Sequence, residues 1–141
     1  MQLKDIMQSP VISVHPGESV EVAARTMTHY NIGFLPVCSG GQICGVLTDR
    51  DMVTRCMAAG RDPGKTPVSM VMTRQVVTAE PQMQTGVAAH LMGRRQIRRL
   101  PVVESGQLRG MVSLGDIAAQ SEGAIDAGDA LSDMVSEPEK I

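Results

Sequence analysis

Aromatic residues are nearly absent: the 141-residue chain carries one Tyr, one Phe and no Trp, against 11 Met. Its core must therefore be aliphatic and filled with flexible thioethers. A flat ligand would be gripped by Val, Ile and Leu, and the lack of stacking rings argues against a platform for single-stranded nucleic acid. Cysteine is scarce too. Three residues, an odd number, suit a reduced cytoplasm better than a disulfide framework. Cys38, Cys44 and Cys56 lack zinc spacing and a histidine pair, and they read as buried free thiols. No apolar run approaches a membrane span, and the polar start Met1–Pro10 has no apolar stretch of a secretory signal. A cytoplasmic protein with neither membrane nor nucleic-acid partners is expected.

Strong net charge is also missing, at −2. The acids Glu122, Asp126, Asp129, Asp133, Glu137 and Glu139, opposed only by Lys140, give residues 121–141 a net −5 and leave residues 1–120 at +3. A mildly basic body suits a small anionic ligand and is too weak for a nucleic-acid surface.

What the chain does contain is an internal repeat. A shift of 65 residues lays Met7–Asp51 on Met72–Asp116 without a gap, with 15 of 45 positions identical. Each copy reads alike. A β-rich run (Val11–Val14; Val76–Thr78) ends at a proline. A helical pattern follows, with Val20, Ala23, Ala24, Met27 and Tyr30 on one face, matched by Val87, Ala88, Leu91 and Met92. Two strands come next, Leu35–Cys38 with Ile43–Leu47 and Leu100–Val103 with Leu108–Val112, joined by Gly-containing turns. A closing helix begins near Asp49 or Gly115.

The predicted fold class is α/β (α+β): two β-α-β-β-α repeats packed sheet-to-sheet with pseudo-two-fold symmetry, because one copy buries too little surface alone. Expected boundaries are 1–59 for the first repeat, 60–67 for a linker, 68–120 for the second and 121–141 for an acidic tail, which is either disordered or helical over Ala130–Val135. The linker's Gly60–Thr66 resembles a P-loop, but three residues separate its glycines where that motif needs four.

Two further signatures complete the pattern. Ile32-Gly33-Phe34-Leu35-Pro36-Val37 is followed by Gly45-Val46-Leu47-Thr48-Asp49-Arg50-Asp51. In the second copy, Ile97-Arg98-Arg99-Leu100-Pro101-Val102 is followed by Gly110-Met111-Val112-Ser113-Leu114-Gly115-Asp116. With these, Met7 to about Gln120 resembles the tandem cystathionine-β-synthase (CBS) domain pair, or Bateman module, in a stand-alone form. The resemblance implies a regulatory, non-catalytic role, adenosine ligands (AMP, ADP, ATP, S-adenosylmethionine or a dinucleotide) in clefts between the repeats, and a homodimer of pairs acting on a regulated partner protein.

The residues suit such a ligand. A Thr or Ser closing a strand three residues before an Asp sets a hydroxyl and first-turn N–H groups at a helix start, where anions are favoured. Thr48 or Ser113 would bond a phosphate or ribose oxygen, and Asp51 or Asp116 would accept from ribose hydroxyls. The competing reading makes Thr48 and Ser113 plain helix N-caps. Arg50, Arg98 and Arg99 could neutralise phosphates, with Gly33, Phe34 and Ile97 beside them. Ile12-Ser13 and Val77-Thr78 would line the base, the apolar members being equally at home in the core. Arg98 and Arg99 stand where the first copy has Gly33 and Phe34, so the two clefts cannot be equivalent, and the second is expected to hold phosphate better. No cofactor is required. Magnesium could accompany a nucleotide at Asp49 and Asp51, although one acid on the ribose and the other in solvent is favoured. A ligand-free structural adaptor is the main alternative function.

Overall fold

Most of the identities between the copies have a visible structural cause. The computed structural model describes residues 1–120 and 124–136. In chain order, the main elements are α1 (Val20–Tyr30), β1 (Phe34–Ser39), β2 (Gln42–Thr48), α2 (Asp49–Asp51, continued by a π-helical turn over Met52–Met57) and α3 (Thr85–Arg95). They are followed by β3 (Arg99–Glu104), β4 (Gln107–Ser113), α4 (Leu114–Ala118) and α5 (Ala124–Ser136). The architecture is mixed α/β with antiparallel strands.

The chain forms two compact units. Unit one holds Met1–Val11, Val77–Ser105 and Arg109–Ile141, and unit two holds Ile12–Val76 and Gly106–Leu108. Each repeat's opening segment thus lies outside the unit that holds the rest of that repeat. In unit one, Gln8 bridges Met111 in both directions, and the Met7 sulfur lies over Gly110, where a Cβ would come within 2.6 Å of it. In unit two, Thr73 bridges Val46, and the Met72 sulfur lies 2.6 Å from the Cβ position of Gly45. Met7/Met72 and Gly45/Gly110 are therefore two halves of one packing arrangement: glycine leaves the room that the methionine fills.

Unit two is built around Val14, Leu35, Val37, Leu47 and Val68, and unit one around Leu3, Met92, Leu100, Val102, Val112 and Ile117. β1 and β2 pair from Phe34↔Thr48 to Ser39↔Gln42, with a bulge after Val37. The hairpin turns use positive φ at Gly41 and Gly106, which explains that identity. α1 and α3 end alike. Asn31 and Gln96 adopt the left-handed conformation, and the next residue, Ile32 or Ile97, returns its N–H to the Met27 or Met92 carbonyl at 3.0 Å.

The β-rich runs before Pro16 and Pro81 differ from the sequence reading. They do not form strands. One parallel bridge stands in each place, Val14↔Val37 and Ala79↔Val102, the second one residue past its predicted run. Val14 donates to Pro36 O and accepts from Cys38 N, and Ala79 does the same between Pro101 and Val103. Pro16 and Pro81, two residues on in each case, lack the N–H a longer ladder would need. On α1, Val20, Ala23 and Met27 are buried as expected, but Tyr30 is half exposed. α5 is longer than the Ala130–Val135 segment expected of the tail, and it packs on α3 through Ala127 and Ala130. Glu122, Glu137, Glu139 and Lys140 lie outside the described residues. No helix among those described is long and apolar enough to cross a membrane.

Candidate functional site

The Thr/Ser-x-x-Asp motifs fold as reciprocal caps. Thr48 Oγ1 accepts from Asp51 N at 3.1 Å, and Asp51 Oδ2 accepts from Thr48 N at 3.0 Å. Ser113 Oγ accepts from Asp116 N at 3.0 Å, and Asp116 Oδ2 accepts from Ser113 N at 2.8 Å. The N-cap reading of these residues therefore holds in both copies. One oxygen of each carboxylate is committed to the cap. The other, Oδ1, has a long contact of 3.9 Å to Arg55 Nε in Asp51 and accepts from Gln8 Nε2 at 3.3 Å in Asp116. A second tether recurs beside each cap: Asp49 N donates to Gly33 O at 3.1 Å, and Leu114 N donates to Arg98 O at 2.9 Å. This bond draws the residue before the Leu-Pro-Val strand to the end of the neighbouring strand.

In unit one the tether gathers Arg98, Arg99 and Ser113 into one cavity of about 410 Å³, within the size range of small-molecule sites, about 300–1,000 Å³. Leu114, Gly115, Ala118, Ala127 and Leu131 complete its lining. Arg98 and Arg99 are exposed, and neither guanidinium has an ion pair among the described residues. Asp116 sits beside this cavity through its bonds to Ser113.

The first copy is built differently. Gly33 lines a groove of about 550 Å³ with Asn31, Asp49 and Met52. The Asp49 carboxylate covers the glycine so closely that a Cβ there would stand 2.8 Å from Oδ2. Asp49 Oδ1 also accepts from Arg50 N at 2.9 Å. Where the second copy presents Arg98 opposite Leu114, the first thus presents a bare backbone opposite an acid, which repels phosphate. Phe34 faces Thr48 across the β1–β2 pair, and neither they nor Arg50 and Asp51 line that groove.

The residues expected around a base fall in both units. Ile12 packs on the core of unit two, and Val77 and Ile97 pack on that of unit one. Thr78 lines a separate surface groove with Glu80 and Gln84, apart from Arg98 and Arg99. Ser13 hydrogen-bonds the Cys38 thiol, whose pKa is nevertheless raised, first by burial and then by the neighbouring Cys44. Sequence reasoning missed Gln8, the position of the Asp49 carboxylate over Gly33, and the α5 residues Ala127 and Leu131. The i, i+4 spacing of the last two was the available signal. Among the described residues, no three His, Cys, Asp or Glu side chains gather to hold a metal ion.

Comparison with known proteins agrees with this organisation. The CBS domain model matches twice, at residues 3–58 and 68–123. The chain is 42% identical over 132 residues to the CBS domain-containing protein YhcV of Bacillus subtilis, covering 94% of each. It superposes on the crystal structure of Hypoxic Response Protein I, which has two coordinated zinc ions, with a TM-score of 0.78 and 32% identity over 84% of this chain and 98% of that one. It also superposes on the CBS domain pair of protein MJ0100, in complex with 5′-methylthioadenosine and S-adenosyl-L-methionine, with a TM-score of 0.74 and 29% identity over the same shares. With two matched domains spanning most of its length, the chain belongs to the CBS domain family, as a regulatory domain pair.

Proposed function

We propose that this protein is a non-catalytic sensor that binds an adenine nucleotide (AMP, ADP or ATP) at the second repeat, and that occupancy biases the geometry of a homodimer acting on a partner protein in the cytoplasm. The observation that carries this reading is that Arg98 and Arg99, which have no ion pair among the described residues, share one cavity with Ser113. Two guanidiniums lining one cavity suit a phosphate. Asp116, whose Oδ1 accepts an exchangeable 3.3 Å bond from Gln8, can turn that oxygen to a ribose hydroxyl. The MJ0100 pair, seen with two adenosine compounds, supports the ligand class. The positive cavity favours a phosphorylated adenosine over the cationic S-adenosylmethionine. Magnesium would enter with a nucleotide and is not needed by the chain's own residues. At the first repeat, the Asp49 carboxylate over Gly33 favours the purely structural reading of Thr48 and Asp51.

In this account the ligand acts by binding one dimer arrangement better than another, and the difference in affinity is the signal. A thermal-shift panel of AMP, ADP, ATP and S-adenosylmethionine at millimolar concentration tests it. Stabilisation by at least one phosphorylated adenosine is expected. An unchanged melting temperature with all four would remove the sensor reading and leave the adaptor.

A further inference from the structure

We infer that α5 is a built wall of the second repeat's ligand site, and that Leu131 determines which ligands the site accepts. The inference rests on the reading of Arg98, Arg99 and Ser113 as a nucleotide site and adds a residue and a selectivity to it.

The seat of α5 is made for close approach. A Cβ at Gly93 of α3 would lie 3.0 Å from the Ala130 Cα, and one at Gly86 would lie 3.0 Å from Asp126 Oδ2. Ala127 and Ala130 are buried on the other side of this contact. The first repeat has Glu21 and Thr28 at the positions of Gly86 and Gly93; Glu21 there lies against the linker at Gly64, and Thr28 lines the open groove beside Met27 and Asn31. A helix seated as α5 is would collide with those side chains.

The orientation of α5 is equally specific. Two of its three acids turn toward α3, and the third, Asp129, is exposed: Asp126 lies 3.7 Å from His90, and Asp133 lies against Gly93. The face it gives the cavity is Ala127 and Leu131, one turn apart and uncharged. An acidic helix is thus laid beside Arg98 and Arg99 without supplying a carboxylate to the cavity they line. The lining combines the cationic Arg98 and Arg99 with the apolar Ala127 and Leu131. That combination takes a ligand with an anionic end and a flat, weakly polar body, and it discriminates against a bare polyphosphate. Leu131 is 39% exposed, so it can be changed without emptying the core.

The test is calorimetric titration of the full chain and its Leu131→Ala and Leu131→Trp variants with ATP, AMP and inorganic tripolyphosphate. Asp116→Ala serves as the site control, and melting temperatures are recorded for all. The inference predicts that Leu131→Ala weakens ATP and AMP by about tenfold and tripolyphosphate hardly at all, narrowing the preference for nucleotide. It predicts that Leu131→Trp, by filling the cavity, weakens all three. If ATP binds, Asp116→Ala abolishes it and both Leu131 variants bind as the wild type does, the inference is overturned while the nucleotide reading stands. If the wild type binds neither ATP nor AMP, the reading of the site fails and the role of Leu131 falls with it.

Discussion

Gly93 and Ala130 touch backbone to backbone: a side chain on Gly93 would begin 3.0 Å from the Ala130 Cα. A glycine inside an 11-residue helix is otherwise unfavourable, by about 1 kcal/mol relative to alanine. Here that cost is offset by the close docking of α5. Gly93→Thr, which installs the residue found at the equivalent Thr28, is expected to destabilise unit one by about 1–3 kcal/mol through overpacking. Thr28→Gly, on the open face of α1, should cost no more than about 1 kcal/mol. Urea unfolding of the two variants checks the contrast.

The reciprocal caps give a second prediction. Ser113→Ala and Thr48→Ala each remove the acceptor for a first-turn N–H, at an expected cost of about 0.5–2 kcal/mol. Because the motif recurs with nearly the same distances, 3.0 and 3.1 Å, the two losses should be similar. They should separate only in ligand binding, where Ser113→Ala weakens the nucleotide and Thr48→Ala does not. Chemical denaturation with and without ATP distinguishes the two effects.

A third prediction concerns the arginines. Arg98 and Arg99 are exposed and carry no ion pair among the described residues, so Arg98→Gln and Arg99→Gln should leave stability within about 0.5 kcal/mol of the wild type. Each should weaken ATP about tenfold or more, through the loss of a charge-assisted hydrogen bond. The salt dependence of binding should flatten in step. Titration at two ionic strengths reads both changes.

Cys38 gives a pH dependence. Burial and the nearby Cys44 raise its pKa, outweighing the opposing bond from Ser13. A raised thiol pKa means that the fold prefers the protonated form. The associated stability is fully present below the unfolded thiol's pKa and is lost as pH rises through the higher folded value. Cys38→Ala should therefore flatten the alkaline decline in melting temperature. Alkylation of Cys38 in the native protein should require a higher pH than in the unfolded chain.

The fold was largely legible because the repeat repeats its packing as well as its letters. Glycines with a methionine sulfur above them, turn glycines with positive φ and Leu-Pro-Val strands with buried Leu and Val all announced themselves by recurring. The leading strands were over-read, since Val, Ile and Thr composition says nothing about whether a neighbour offers more than one bridge. α5 was under-read because Gly128 and three aspartates interrupt its pattern, while its stability comes from a seat on α3 at Gly86 and Gly93 that has no counterpart in the first repeat. In the site, the difference in arginines was visible in the sequence. The Asp49 carboxylate over Gly33 was not, because that contact depends on the Asp49–Gly33 backbone bond.

The most direct test of the account is the ranking of the two aspartates in nucleotide binding. Calorimetric titration of ATP into the wild type, Asp116→Ala and Asp51→Ala should show binding to the wild type, a large loss with Asp116→Ala and a small one with Asp51→Ala. Equal losses, or the reverse order, would contradict the assignment of the ligand to the second repeat's cavity.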